Sequence, residues 1–170
     1  MGLINKLRVN RNEPVKGLPT EKNTVYAPVA GKLIALEYFP DDVFNDGTLG
    51  QGCGIAPTDE IIKAPFNGEV VQLQTSQHAL GLKSEDGIEL LIHVGVDTVS
   101  MEGKGFQALV KKGDKVVMGQ NILKFSIAEI KAKGLKTEVA IIVTNTDDYQ
   151  KVNIVNPGDI EECALIITVV

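Results

Sequence analysis

Short apolar bursts separated by Gly, Asp, Asn and Pro dominate the chain from Val25 onwards. They predict strands over Lys32–Leu36, Gly54–Ala56, Ile61–Lys63, Glu69–Gln74, Gly81–Lys83 and Ile88–His93. Further strands are expected at Phe106–Leu109, Lys115–Val116, Asn121–Phe125, Val139–Val143, Lys151–Val155 and Ala164–Val169. Many short strands between turn signals point to an all-β antiparallel sandwich or flattened barrel, not to alternating β and α units. One or two short helices are expected. Ile127–Lys133 has Ile127 and Ile130 on one face and Gly134 as a stop, and a helical turn fits Asp41–Phe44. Residues 1–24 are polar and broken by Pro14, Gly17 and Pro19, so they read as a flexible tail preceding one domain over 25–170.

The strand text repeats internally. Residues 27–36 read APVAGKLIAL and residues 64–73 read APFNGEVVQL. In each, Pro closes one strand and Gly permits a tight turn into the next, so a duplicated β-unit is expected. Val110–Leu123, with its V-x-x-G-D-x-V-x-x-G-Q-x-L spacing, resembles the turns of biotinyl and lipoyl carrier domains. The modified lysine of such carriers is not found, so the hybrid motif serves another purpose here.

Composition adds mainly exclusions. At 170 residues and 44% hydrophobic content the chain can bury a real core. A net charge of -5 without a basic block excludes a nucleic-acid footprint and suits a basic protein partner. No apolar run reaches the ~20 residues of a membrane helix, and the start lacks a secretory core. Cys53 and Cys163 lie far apart and read as reduced packing residues, so a cytoplasmic protein is expected. In the tail, Leu3, Ile4 and Leu7 beside Lys6 and Arg8 could face a membrane surface, but so short a helix is marginal alone.

The candidate chemistry sits in Glu89–Val99, ELLIHVGVDTV. Period-two alternation puts Leu90, Ile92 and Val94 on the core face and Leu91, His93 and Gly95 on the other. His93 is thus expected beside an exposed Leu91, with bare backbone at Gly95 leaving space before the ring. The chain's only other histidine, His78, follows Ser76 by two residues, so the hydroxyl can bond an imidazole nitrogen and fix its tautomer. A nucleophilic imidazole needs one nitrogen free and the other held, commonly by a backbone carbonyl.

The string ELLIHVGVDTV with the later Gly103-Lys104-Gly105-Phe106 resembles the active-site signature of the glucose-family IIA component of the bacterial phosphoenolpyruvate-dependent sugar phosphotransferase system. The paired A-P-x-x-G turns, Pro40–Phe44, Gly50–Pro57, His78-Ala79, Gly113-Asp114 and Val143–Asn145 match in order, from Val25 to the C-terminus. The resemblance implies a β-sandwich phosphocarrier. His93 would accept a phosphoryl group from the phosphohistidine of HPr and pass it to a cysteine of the sugar-specific IIB domain of an IIB/IIC permease. His78 would assist, and Ser76 would stand where the family has an orienting Thr. Asp41 and Asp97 would meet a basic group on HPr. Val43, Phe44, Leu91 and Val99 would form an apolar collar. No cofactor is required, although His78 and His93 could share a zinc ion with a partner protein.

Two rivals set the contrast. His93-x-x-x-Asp97 has the ligand spacing of a zinc metallopeptidase family of related β architecture, but catalytic zinc needs a third protein ligand and the H-x-H motif that supplies it is missing. A regulator that binds glycerol kinase or permeases and is switched by phosphorylation would use the same face.

Overall fold

A computed structural model describes residues 17–170. The expected membrane-facing helix around Leu3, Ile4 and Leu7 lies outside the described residues. The chain passes through β1 (Thr24–Tyr26), β2 (Gly31–Ala35), α1 (Asp42–Asn45), β3 (Gln51–Pro57), β4 (Ile61–Lys63), β5 (Gly68–Leu73) and β6 (Ala79–Ser84). It continues with β7 (Glu89–Val94), β8 (Phe106–Ala108), β9 (Lys115–Val116), β10 (Asn121–Phe125) and α2 (Ile127–Ala132). The last strands are β11 (Val139–Val143), β12 (Val152–Ile154), β13 (Gly158–Ile160) and β14 (Leu165–Val169). Short 3-10 turns occupy Leu36–Tyr38, Thr98–Met101 and Thr146–Asp148. No described helix is long and apolar enough to cross a membrane.

The strands form antiparallel sheets packed as a sandwich, and the large one has the order β13-β2-β3-β11-β7-β6-β5-β9. Two three-stranded sheets, β1-β14-β12 and β4-β10-β8, complete it. Alternation along the central strand β7 decides what each face carries. Leu90, Ile92 and Val94 enter the main core with Val25, Ile62, Leu123 and Ile166 from the small sheets. Each such side chain contributes about 1.5–3 kcal/mol through burial. The opposite face of β7 and β11 carries a second cluster, Phe39, Phe44, Ala140 and Ile142, with Leu91 packed against it.

The A-P-x-x-G repeat is a structural duplication. It links β1 to β2 and β4 to β5, and the two corners bond each other reciprocally. The Tyr26 amide donates to the Pro65 carbonyl at 2.9 Å, and the Lys63 amide to the Pro28 carbonyl at 2.8 Å. Gly31 and Gly68 open the second strand of each copy where a Cβ would stand 2.0 Å from the Ala56 oxygen and 2.1 Å from the Lys83 oxygen. Partners are duplicated too: β9 pairs with β5 as β13 pairs with β2.

The strands absent from the sequence reading follow from this duplication. The Val-x-x-Gly-Asp text that precedes β9 at 110–114 recurs at 155–159, where it leads into β13. β1 is held by pairing with the distant β14, which no local pattern announces. Glycines hid the full length of β3: a Cβ on Gly52 would lie 1.9 Å from the Ile141 oxygen, so these glycines are what lets β11 approach. Contact with the body begins within the expected tail, since the Leu18 amide donates to the Met118 carbonyl at 3.3 Å. Both cysteines are free, and burial pushes the Cys53 thiol up to about 12.

Candidate active site

β6 and β7 lie side by side in the large sheet with Ala79 opposite His93. The loop entering β6 carries His78 just before that pair, so the two imidazoles meet with ring centroids 4.8 Å apart and planes at 84°. Phe44 tilts against His93 at 4.9 Å and is itself met edge-on by Phe39 at 5.6 Å. Phe39 fits because β3 has Gly54 beneath it, where a Cβ would come within 2.5 Å of the Phe39 ring. Asp41 starts the helix that presents Phe44, its Oδ1 accepting the Val43 amide at 3.0 Å.

The His-x-Gly-x-Asp-Thr spacing now has a physical reading. His93 Nδ1 lies 2.9 Å from the Gly95 carbonyl oxygen. That contact requires Nδ1–H, which leaves the Nε2 lone pair free for attack. Nε2 has no hydrogen-bond partner among the described residues and is not sequestered from solvent. To aim its carbonyl back, Gly95 turns with φ +79, while its amide donates to the Glu138 carbonyl at 2.9 Å. Asp97 takes a left-handed φ of 59, and the buried Thr98 hydroxyl donates to the Val94 carbonyl. Gly95 therefore does not clear space in front of the ring, as the sequence suggested. It is buried, and an added Cβ would stand 2.3 Å from Thr98 Cγ2 and 2.9 Å from the Lys136 oxygen. Gly95→Ala should cost roughly 2–4 kcal/mol through left-handed strain and overlap. Urea unfolding checks this, and an unchanged midpoint would refute the crowding.

Ser76 Oγ lies 2.5 Å from His78 Nδ1. When the hydroxyl donates, the proton of neutral His78 stands on Nε2. His78 is buried, and its pKa is lowered to about 4, first by burial and then by the neighbouring His93 imidazole. Burial also lowers the pKa of His93, against the Gly95 carbonyl, Asp41 and Asp97, which raise it. Both rings are neutral near pH 7, as a nucleophile and an N–H donor require.

Below about pH 6.5 the unfolded chain binds protons that the folded site refuses, so stability falls as pH drops from there towards the folded value of about 4. Unfolding free energies near pH 7.5 and near pH 4.5 should differ less in His78→Gln than in the wild type. Equal differences would show that His78 is not held neutral.

Around the rings the expected collar divides in two. Val43 and Val99 are 59% and 58% exposed, whereas Phe44 is 4% exposed. Phe44 is thus a wall against His93. Leu91 is half-buried against the second cluster, not exposed as its place in the strand suggested. Asp41 and Asp97 have no ion-pair partner among the described residues. A groove of about 350 Å³ continues past Ser76 along Gln74, Thr75, Val99 and Glu102. Sequence reasoning missed Phe39, Gly54 and the identity of the carbonyl that holds His93. The glycine two residues after the histidine was the available signal for the last.

The family described as "phosphoenolpyruvate-dependent sugar phosphotransferase system, EIIA 1" matches residues 23–149. The chain belongs to this EIIA family. It is 40% identical over 136 residues to a "PTS system glucose-specific EIIA component" of Bacillus cereus, covering 80% of this chain and 82% of that one. A protein of the same description from Staphylococcus aureus is 39% identical over 140 residues, covering 82% and 84%. The solved structure of "glucose permease IIA from Mycoplasma capricolum" superposes with a TM-score of 0.80 at 30% identity, over 87% of this chain and 96% of that one. The protein is an EIIA phosphocarrier component of a sugar phosphotransferase system, and the family implies HPr and IIB as partners. The zinc-hydrolase alternative falls with this assignment. Among the described residues no three His, Cys, Asp or Glu side chains group to hold a metal.

Proposed function

We propose that His93 Nε2 is the atom that carries the phosphoryl group, within a cytoplasmic relay serving a glucose-type permease. The observation that carries this reading is the 2.9 Å contact between His93 Nδ1 and the Gly95 carbonyl, which fixes the tautomer with Nε2 free. In the first step the Nε2 lone pair attacks the phosphorus of phospho-HPr, an N–P bond forms on His93, and the N–P bond to the HPr histidine breaks. In the second a IIB cysteine thiolate attacks the phosphorus, an S–P bond forms as the His93 N–P bond breaks, and the bonding pair returns to Nε2, which leaves His93 neutral with its proton still on Nδ1. Such transfers need little beyond positioning and charge stabilisation. His78 supplies part of the latter as an N–H donor, and the exposed Val43 and Val99 with Asp41 and Asp97 offer a partner an apolar rim and two unpaired carboxylates.

With the His78 proton moved to Nδ1, where it would donate to Ser76 Oγ, the Nε2 atoms of the two rings could also supply two ligands to an interfacial zinc completed by a partner's carboxylate and water. Regulatory binding of glycerol kinase or permeases would use the same face, and added phosphate charge would oppose it. Incubation with phosphoenolpyruvate, enzyme I and HPr tests the central reading. Intact mass should show one acid-labile phosphate. No gain, in a cascade that phosphorylates a control EIIA, would overturn it.

A further inference from the structure

We infer that Gln77 is a positioning residue, a side-chain latch that holds Ser76 and His78 in register with His93. Backbone bonds shape the loop between β5 and β6. The Gln77 amide donates to the Gln74 carbonyl at 2.8 Å, and the Gln74 amide donates to the Ala79 carbonyl at 3.1 Å, closing a tight turn. Gln77 completes it with a left-handed φ of 57. Gly or Asn suits that conformation, and a glutamine adopts it against its preference. The side chain supplies the reason. Gln77 Oε1 accepts the Ala108 amide at 2.7 Å.

Ala108 lies on β8, an edge strand of the β4-β10-β8 sheet, facing Leu123 of β10. Its N–H finds its acceptor in the glutamine amide, so this one bond ties a hairpin of the large sheet to the edge of a small one. The same strand sends Phe106 against His78, with ring centroids 6.4 Å apart. Ser76 and His78 flank the latch directly in sequence. The 2.5 Å hydroxyl contact and the edge-on approach to His93 therefore depend on where Gln77 anchors the loop. Gln77 touches neither histidine ring through a hydrogen bond, so it acts through the residues on either side of it.

Gln77→Gly relieves the backbone and removes the latch, while Gln77→Glu keeps an acceptor oxygen of the same reach. The inference rests on the phosphocarrier reading for its kinetic arm only. Transfer from phospho-His93 to the IIB domain should slow about tenfold in Gln77→Gly, in kcat and not in KM for IIB, as expected for a misplaced donor. Phosphate should still load on His93, the thermal midpoint should stay near the wild type, and Gln77→Glu should restore the rate. The second arm is imidazole ¹⁵N NMR of unphosphorylated protein, where the His78 nitrogens should move towards a tautomer mixture in Gln77→Gly alone. Wild-type transfer together with an unchanged His78 spectrum in Gln77→Gly would overturn the inference. So would a rate loss that tracks the thermal midpoint and is not rescued by Gln77→Glu. A wild type that takes no phosphate would refute the carrier reading instead, and the NMR arm would still decide the latch.

Discussion

His93→Gln should take up no phosphate from phosphoenolpyruvate, enzyme I and HPr under conditions that load the wild type fully. A carboxamide can fill the space of the imidazole and bond the Gly95 carbonyl, but its nitrogen lone pair is delocalised and is no nucleophile at neutral pH. The expected loss is therefore of the reaction itself, not of a fraction of its rate. Stability should change little, because His93 is half-buried and the Phe39–Phe44 wall does not need a charged or titrating group to pack. An effect on unfolding of about 1 kcal/mol is the ordinary scale. Intact mass and urea unfolding together separate the two. A variant that still gains an acid-labile phosphate would transfer the role to His78. One that fails to load because it has unfolded would leave the assignment to a second substitution, His93→Asn, judged by the same pair of measurements.

The site shows why the face that carries His93 was legible in the sequence and its setting was not. The alternation of Leu90, Ile92 and Val94 with Leu91 and His93 reports the sheet face directly, because a strand has period two whatever surrounds it. The motif glycine signalled a turn, but whether its missing Cβ opens space or avoids a clash depends on Thr98 and Lys136, and Lys136 is far away in sequence. Leu91 read as exposed because nothing local indicates that Phe39, Phe44, Ala140 and Ile142 cover its face. The duplicated corners were visible in the A-P-x-x-G text. Their consequence, the reciprocal Tyr26–Pro65 and Lys63–Pro28 bonds, exists only once the copies pair. Short-range pattern thus gave element type and face, while long-range pairing set the ends of strands and the walls of the site.

A duplicated frame also explains where the chemistry stands. β7 and β11 occupy the middle of the large sheet, each continuing one copy of the corner-and-hairpin unit. On the face they share, His93 lies opposite Ala140, a small residue that leaves the ring room, and Ile142 with Phe39 and Phe44 supplies an apolar wall. Burial there lowers the pKa of both histidines, which keeps them neutral, and it limits the water that would hydrolyse an N–P bond.

His78→Gln should separate the two halves of the reaction. The variant should accept phosphate from HPr to near-complete extent yet pass it to IIB roughly 10²–10³-fold more slowly, the scale of losing one preorganised donor to developing charge. The asymmetry comes from geometry. In the proposed transfer the accepting lone pair is that of His93 Nε2, and the Gly95 carbonyl that holds Nδ1–H is not touched by the substitution. The charge that grows on the phosphoryl oxygens as the group leaves must be met by something fixed, and His78 is fixed by Ser76 on one side and by Phe106 on the other. Glutamine retains an N–H donor but lacks the ring edge that Ser76 and Phe106 locate, so the donor is present and unplaced. Loading on His93 adds negative charge beside His78 and favours its N–H form further, which makes the loaded state the one in which His78 matters. Quenched transfer from purified phospho-protein to IIB measures this directly. A normal rate would remove His78 from the chemistry and leave it as part of the wall around His93.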